Sequence, residues 1–383
     1  MVKTAVEPST APDYIKEYCA LGTERAQALG NRGPLTFNES AHVSQSILDC
    51  YHKLGFYVFE QVIDRSEIAD LRTDLDATLA RAPTDPDSNV DANGNPAIGK
   101  DLAYRSFSFA KPLSDPFGGT EAANGRYETK MSEPTPADDS PPRTIFFIAG
   151  GCQFMDSFLR HYGNPKLLRV AEALNGSDFT PFTDGVWIKE PGLGTSVSWH
   201  QDGTTLWHHP DWHEDIHGFN FMTNLYDTTA ENALWVVPQT HKLGKIDIKK
   251  RVAKEGTDRL PDAVPMLVKA GDVAICNRQV LHGSFANTSR QRRVTLVHGF
   301  HLRTSVLGAE TTFARKRKVR YDEARVHRSS QLISLAIDAR RQRFADETPY
   351  SYGPLLAEIE KYRFSEETRE TVLKNYNMYS LGL

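Results

Sequence analysis

Residues 198–242 read SWHQDGTTLWHHPDWHEDIHGFNFMTNLYDTTAENALWVVPQTHK, and the reading of the chain turns on them. Of 13 histidines, six fall between His200 and His241. His200 and Asp202 form an H-x-D pair. On an extended strand, residues two apart point to the same side, so an imidazole and a carboxylate converge there. A third ligand has to arrive from a distant strand, as closure of a sandwich or barrel allows. His282, in the run ICNRQVLHGS (275–284), is the best-placed candidate. Two histidines and one carboxylate on one face leave the opposite coordination positions open, the arrangement of non-haem Fe(II) oxygenases. Taken alone, H-x-D is a frequent coincidence, a core histidine next to a turn aspartate. The surrounding pattern has to carry the argument.

Around this segment short β-like runs alternate with turns: Val186–Glu190, Gly218–Tyr226, Ala233–Pro238, Pro265–Lys269, Asp272–Asn277 and Arg293–Leu302. Such spacing predicts a sandwich or barrel. Upstream, Leu54–Ile63 (LGFYVFEQVI) is aromatic and β-branched, as strands are. Asp64 with Glu67 three residues on is a capping-box-like helix start, and Ile68, Leu71, Leu75 and Leu79 give the helix one apolar face. Residues 83–143 are rich in Pro, Gly, Asp, Ser and Asn and read as a flexible or functional loop. Residues 145–174 read as helical, with Asn164 and Pro165 as cap and first position. Residues 1–42 read as an N-terminal extension with one helix near Tyr14–Leu29. Residues 43–303 form the main domain, with 83–143 inserted. Residues 304–383 form a C-terminal extension with helices at Gln331–Phe344, Pro354–Phe364 and Glu366–Tyr376.

An iron of this kind uses a 2-oxo acid as a source of electrons, and the far carboxylate of that acid needs a buried cation. Arg suits the task through its planar, always-charged fork. Arg293 lies eleven residues after His282 and opens the run RVTLVHGFHL. Arg292 competes with it, because neighbours on a strand face opposite ways.

These residues resemble the phytanoyl-CoA dioxygenase family of Fe(II)/2-oxoglutarate oxygenases over roughly residues 45–303. LGFYVFEQVIDRSEI resembles the family's opening, and the Lys189-Glu-Pro-Gly segment precedes the metal strand. His200-Gln-Asp matches the metal pair, and ENALWVVPQTHK (231–242) matches an ENG…GSHK signature. AGDV (270–273), LHGS (281–284) and Arg293 match the distal half. The resemblance implies a mainly β fold with flanking helices around a double-stranded β-helix (jelly roll, cupin-like) core. It implies His200, Asp202 and His282 as metal ligands and catalytic centre, Arg293 on the distal carboxylate, and Gln201 and Ser284 lining the co-substrate. A Trp found in some members aligns with Phe221. The implied reaction couples decarboxylation of 2-oxoglutarate by Fe(II) and O2 to oxidation of a C–H bond, with succinate and CO2 released. Halogenating relatives lack the carboxylate ligand, so Asp202 favours hydroxylation.

The remaining features bound this reading. Net charge is −4 over 383 residues, which disfavours nucleic acid as a partner. The chain lacks an 18-residue apolar run and a signal-peptide core, and its four cysteines form no CxxC pair. A cytoplasmic protein acting on a small molecule is expected, with oligomeric state open and a homodimer compatible. Expected substrates are a natural-product intermediate, an amino acid or an acyl thioester. Trp207, Phe221, Tyr104 and Arg105 are the candidate substrate contacts. His208, His209, His213 and His217 read as part of a pocket-lining loop, His241 as structural, and the basic run Arg315–Arg320 as a solvated face. Two other readings stand beside the oxygenase: a metal-dependent lyase or isomerase on the same barrel, and a binding barrel without catalysis.

Overall fold

The computed structural model describes residues 12–202, 218–313 and 317–379. Its strands are β1 (Arg32–Pro34), β2 (Phe56–Glu60), β3 (Phe107–Ala110), β4 (Thr144–Ala149), β5 (Phe179–Lys189), β6 (Val197–His200), β7 (Gly218–Asn224), β8 (Trp235–Val237), β9 (Val264–Pro265), β10 (Val273–Asn277), β11 (Leu281–Ser284), β12 (Arg293–Leu302), β13 (Glu310–Phe313) and β14 (Arg317–Arg320). One sheet runs β1-β2-β10-β7-β12-β5-β4-β3, and the facing sheet runs β6-β11-β8-β9. Strands β13 and β14 form a separate hairpin. Two largely antiparallel sheets, with only β1 and β2 paired in parallel, enclose an interior: the sandwich that the strand pattern predicts and the jelly roll that the family resemblance implies.

The long sheet is covered on both faces, which explains why β7 and β10 are buried at every residue and read as continuous apolar runs. Alternation along β7 sends Phe219 and Phe221 into a core shared with Phe158, Leu167, Phe300 and Leu335 on the helical side. Met222 turns the other way, into the layer between the sheets with Val58, Val236, Ala274 and Cys276.

The helices behind the long sheet follow their local signals, with instructive departures. Asp64 caps helix Arg65–Ala80 by accepting the Glu67 backbone N–H at 2.8 Å. The reciprocal half of the capping box is not made. Glu67 is buried instead against Arg340, at 2.8 and 3.2 Å, and so ties this helix to helix Glu323–Arg343. Residues 145–149, read as helical from sequence, form β4, which pairs with β3 and β5. TIFFIA is too short for periodicity to separate helix from strand, and the exposed edge of β5 decides it. The helices of this stretch are Asp156–Tyr162 and Pro165–Asn175, the second capped by Asn164. Gly55, at φ 85°, ends helix Gln45–Leu54, and a side chain there would strike the His241 ring at 2.5 Å. Its position lets β2 leave the helix directly.

The termini pack on this body. Helix Asp13–Ala28 stacks Tyr18 on Trp235 at 4.4 Å, and the Tyr18 hydroxyl donates to the Leu260 carbonyl. At the other end, Tyr352 donates to the Phe179 carbonyl and Tyr376 donates to Asp184. No helix among the described residues is long and apolar enough to cross a membrane.

Candidate metal centre

His200 ends β6 and His282 lies on β11, paired directly across the short sheet. Their rings therefore stand side by side, with centroids 4.1 Å apart. Asp202 follows just beyond β6, where its backbone N–H donates to the Arg278 carbonyl at 2.7 Å. That bond turns the carboxylate back toward the rings. One Asp202 oxygen is 3.7 Å from His200 Nε2, and the other is 3.9 Å from His282 Nε2. The three donor atoms lie within 4.8 Å of one another, and all three residues are buried.

The donor chemistry fits a metal. Nδ1 of His200 lies 2.8 Å from the Ser198 carbonyl and Nδ1 of His282 lies 2.9 Å from the Val280 carbonyl. A carbonyl can only accept, so in the neutral ring Nδ1 carries the proton and Nε2 presents a lone pair to the shared space. Burial, reinforced by His282, pushes the His200 pKa down to about 3, so the ring is neutral at ordinary pH. Burial works to raise the Asp202 carboxyl, but Arg126 and then Arg278 outweigh it and hold the group below the usual carboxylate range. Two imidazoles and one carboxylate suit Fe(II) and other first-row divalent ions.

A second polar feature lies on the same interior. The Asn220 amide donates to Asp202 at 2.9 Å. Four residues along β7, on the same face, Asn224 accepts from the Thr295 hydroxyl at 2.8 Å, and Thr295 accepts from Arg293 Nε at 3.0 Å. At about 3.3 Å per residue, the two asparagines stand about 13 Å apart along the strand. Arg293 sits at the Asn224 end of this row, through its bond to Thr295. Arg293 is buried and also donates to the Asn232 carbonyl at 3.1 Å, yet it has no carboxylate partner among the described residues. Burial lowers its pKa to about 10, so it remains a cation. Lys189 is its cross-strand partner. It too is buried, with its ammonium on the Phe285 carbonyl at 2.6 Å. Burial, and then the Arg293 charge, push its pKa well down. Arg292 faces outward and is spent on Glu190 and Asp76, at 2.9 and 3.1 Å.

The family model for phytanoyl-CoA dioxygenase (PhyH) matches residues 51–295, which span both sheets and the whole of this centre. The chain belongs to the phytanoyl-CoA dioxygenase family. Among curated relatives, it is 32% identical to Phytanoyl-CoA dioxygenase 1 of Oryza sativa subsp. japonica over 120 residues, 28% of this chain and 40% of that protein. It is 27% identical to L-proline trans-4-hydroxylase of Streptomyces griseoviridis over 157 residues, 35% of this chain and 58% of that one. The chain thus spans about half the length of the curated relatives it matches. Among solved structures, EctD from S. alaskensis with 2-oxoglutarate and 5-hydroxyectoine superposes with a TM-score of 0.50 at 17% identity, covering 75% of this chain and 86% of that one. This likeness supports the fold.

Within this PhyH-family site the other residues singled out from sequence fall as follows. Gln201 is held at both ends of its amide. It donates to the Gly244 and Gln279 carbonyls at 3.0 and 2.7 Å and accepts from the Ile246 N–H at 2.9 Å, so it braces the loop after β8 against the metal strand. Ser284 is buried on β11, two residues beyond His282. Phe221 differs from expectation. Its ring is in the helix-side core, 5.4 Å from the His298 ring, and the β7 residues facing the centre are Asn220, Met222 and Asn224. Phe221 therefore stands on the core face of β7, because successive strand residues point to opposite faces. Arg105 is exposed and donates to Ser88 and Asn89 of its own loop, and Tyr104 is half-buried beside it. Trp207 and His208, His209, His213 and His217 lie outside the described residues. His241 is buried with Nε2 on the His52 carbonyl at 3.0 Å, a structural role.

Sequence reasoning missed Asn220, Arg126 and Tyr127. Arg126 contacts Asp202 at 2.6 Å, and the Tyr127 ring lies 4.7 Å from that of His200. Asn220 had a signal, the alternation of β7 itself. Arg126 and Tyr127 had none, because they lie in the aperiodic stretch 83–143.

Proposed function

We propose that this protein is an Fe(II)- and 2-oxoglutarate-dependent dioxygenase that oxidises a C–H bond of a small organic substrate. The expected substrates are a natural-product intermediate, an amino acid or an acyl thioester, and the by-products are succinate and CO2. The observation that carries the reading is the pairing of two features on one interior. A two-histidine, one-carboxylate donor set faces a buried guanidinium that has no carboxylate of its own among the described residues. A ligand with a metal-chelating end and a carboxylate end satisfies both.

In this reading His200, Asp202 and His282 would hold the iron, which supplies activation of dioxygen coupled to loss of CO2 from the 2-oxo acid. The chain's own groups do the rest. The Ser198 and Val280 carbonyls keep the two Nε2 atoms directed at the centre. Arg293 binds and orients the distal carboxylate, with Thr295 and the Asn232 carbonyl fixing its fork. Met222, Val236 and the other residues between the sheets exclude water. Asp202 occupies the position that a halide would need, which favours hydroxylation. The likeness to L-proline trans-4-hydroxylase supports a small polar substrate. Four cysteines without disulfides suit a reducing, cytoplasmic setting.

The test is detection of succinate across a metabolite library with Fe(II), 2-oxoglutarate and air, with His282→Ala and Asp202→Gly alongside. Substrate-stimulated succinate in the wild type, lost in both variants, supports the proposal. Turnover that proceeds without oxygen and succinate would instead favour a lyase or isomerase. Iron binding with no substrate-stimulated decarboxylation would favour a binding barrel.

A further inference from the structure

We propose that Arg126 is a positioning residue that keeps one oxygen of Asp202 off the metal, so that coordination positions remain for the co-substrate. This rests on the metal-centre reading above.

The two oxygens of Asp202 are not equivalent. Oδ1 accepts from Arg126 Nη1 at 2.6 Å, a short charge-assisted bond. Oδ2 accepts from the neutral Asn220 amide at 2.9 Å and lies 3.9 Å from His282 Nε2, while Oδ1 lies 3.7 Å from His200 Nε2, so both oxygens are within reach of the centre and what differs is the partner each already has. A neutral amide leaves the charge of Oδ2 for a metal, whereas a guanidinium neutralises the charge of the oxygen it binds. The guanidinium holds the other oxygen. A carboxylate free to rotate can clasp a divalent ion with both oxygens, and each extra bond removes a position that a chelating 2-oxo acid would use.

Arg126 is held in place from both sides. Its side chain is only 9% exposed. Ahead of it, Asp115 accepts from the Gly118 N–H at 3.0 Å and from the Ser198 hydroxyl at 2.6 Å, and Ser198 lies on the metal strand two residues before His200. Just after it, Tyr127 is packed between the His200 ring at 4.7 Å and the Phe117 ring at 5.0 Å. Further on, the Met131 N–H donates to Asp115 at 2.8 Å. The segment 115–131 is therefore a strap built against β6, and it delivers one cation to one oxygen. This gives the 83–143 insertion a role in the chemistry of the centre.

The experiment uses metal-free wild type, Arg126→Met, Arg126→Gln and Arg126→Lys. Co(II) serves as the spectroscopic probe, and each Co(II)-loaded protein is then titrated with 2-oxoglutarate without oxygen. Partners that orient a metal ligand are worth about 10–100-fold. The expected result is that R126M and R126Q bind Co(II) within tenfold of wild type. Their Co(II) forms should bind 2-oxoglutarate at least tenfold more weakly, with an altered Co(II) visible spectrum before the titration. R126K, which keeps a cation, should recover most of the affinity. Should R126M fail to fold, R126Q and R126K still decide the question. A neutral variant whose Co(II) form binds 2-oxoglutarate within tenfold of wild type overturns the proposal. So does loss of Co(II) binding in R126M and R126Q, which would make Arg126 necessary for ligation itself. Absence of Co(II) binding by the wild type is a separate outcome that overturns the metal-centre reading.

Discussion

Replacing Arg293 with Met removes the charge while keeping most of the length, and the structure fixes two consequences of opposite kind. The first concerns the protein without ligands. Burial lowers the Arg293 pKa from 12.5 to about 10. At 1.36 kcal/mol per unit, that is about 3 kcal/mol of unfavourable burial carried by the folded state. The substitution relieves it and leaves the Asn232 carbonyl and the Thr295 hydroxyl short of a donor, at about 1–3 kcal/mol each. The two oppose each other, so metal-free R293M should melt within a few degrees of wild type. The second consequence concerns the co-substrate. Two charge-assisted bonds to a carboxylate contribute about 1.5–3 kcal/mol each. Taking the lower bound for both, a loss of about 3 kcal/mol is expected, somewhat over 100-fold in the dissociation constant. Thermal melting with and without 2-oxoglutarate reads both. At a hundred times its dissociation constant, the ligand adds about 2.7 kcal/mol to the metal-loaded wild type. With an unfolding entropy near 2.1 cal/mol/K per residue, that is a rise of roughly 3 °C for this chain. At the same concentration R293M should gain about half a degree. A variant that melts far below wild type yet keeps its full shift with 2-oxoglutarate would make Arg293 a structural residue and refute the reasoning.

Three further outcomes follow from particular contacts. His200→Ala and His282→Ala should each lose divalent metal binding, read by metal content after dialysis, while circular dichroism stays that of the wild type; retained stoichiometric metal would remove that histidine from the ligand set. Glu67 and Arg340 form a buried ion pair at 2.8 Å, and Arg340 is also held by Glu347 at 2.6 Å, so Glu67→Leu, which leaves Arg340 one carboxylate, should cost about 1.5–3 kcal/mol in denaturant unfolding and be non-additive with Arg340→Met; a strictly additive double variant would argue against the pair. Burial raises the Asp184 carboxyl to about 7, against the backbone N–H bonds of Cys152 and Gly151, which lower it. With the folded value above the unfolded one, the folded state binds the extra proton between about pH 4 and 7, so this contribution is present at low pH and lost as pH rises through 7. The melting difference of Asp184→Asn minus wild type should therefore be more positive at pH 8 than at pH 5, and a pH-independent difference would exclude that titration.

What could be read from the sequence is what short-range repetition encodes. The alternation in RVTLVHGFHL gives β12 with its ends correct, because a ten-residue strand repeats its pattern enough to fix its limits. The H-x-D pair and His282 could be found because chelation demands particular residue types on one face, and they are the cluster the fold assembles. TIFFIA was misread because six residues do not hold enough turns to tell one period from another. Phe221 lies on the outer face of β7, and the run GFNFMTN carries the contrast that separates the faces, with asparagines at 220 and 224 and phenylalanines at 219 and 221. Arg126 could not be found at all. Its contact with Asp202 joins residues 76 apart in sequence, and nothing local distinguishes it from any other loop arginine. Glu67 carried a local signal that tertiary structure overrode, since a buried guanidinium outcompetes a backbone N–H for its carboxylate.

The same alternation explains how one sheet keeps two incompatible environments apart. On β7, Asn220 and Asn224 face the interior, one bonded to Asp202 and the other to Thr295. Phe219 and Phe221, between and beside them, face the helices. On β12, Arg293 turns inward, while Arg292, the residue before it, is satisfied on the outside by Glu190 and Asp76. The outward arginine has its carboxylates from the chain, and the inward one has none among the described residues. A fold selected for stability alone would gain little from burying Arg293 beside Lys189 with carbonyls as their acceptors, because cross-strand like charges repel and each carries a desolvation cost. The arrangement becomes favourable when a carboxylate enters from solution. That asymmetry between neighbours on one strand is the strongest physical reason to read the interior as a ligand site.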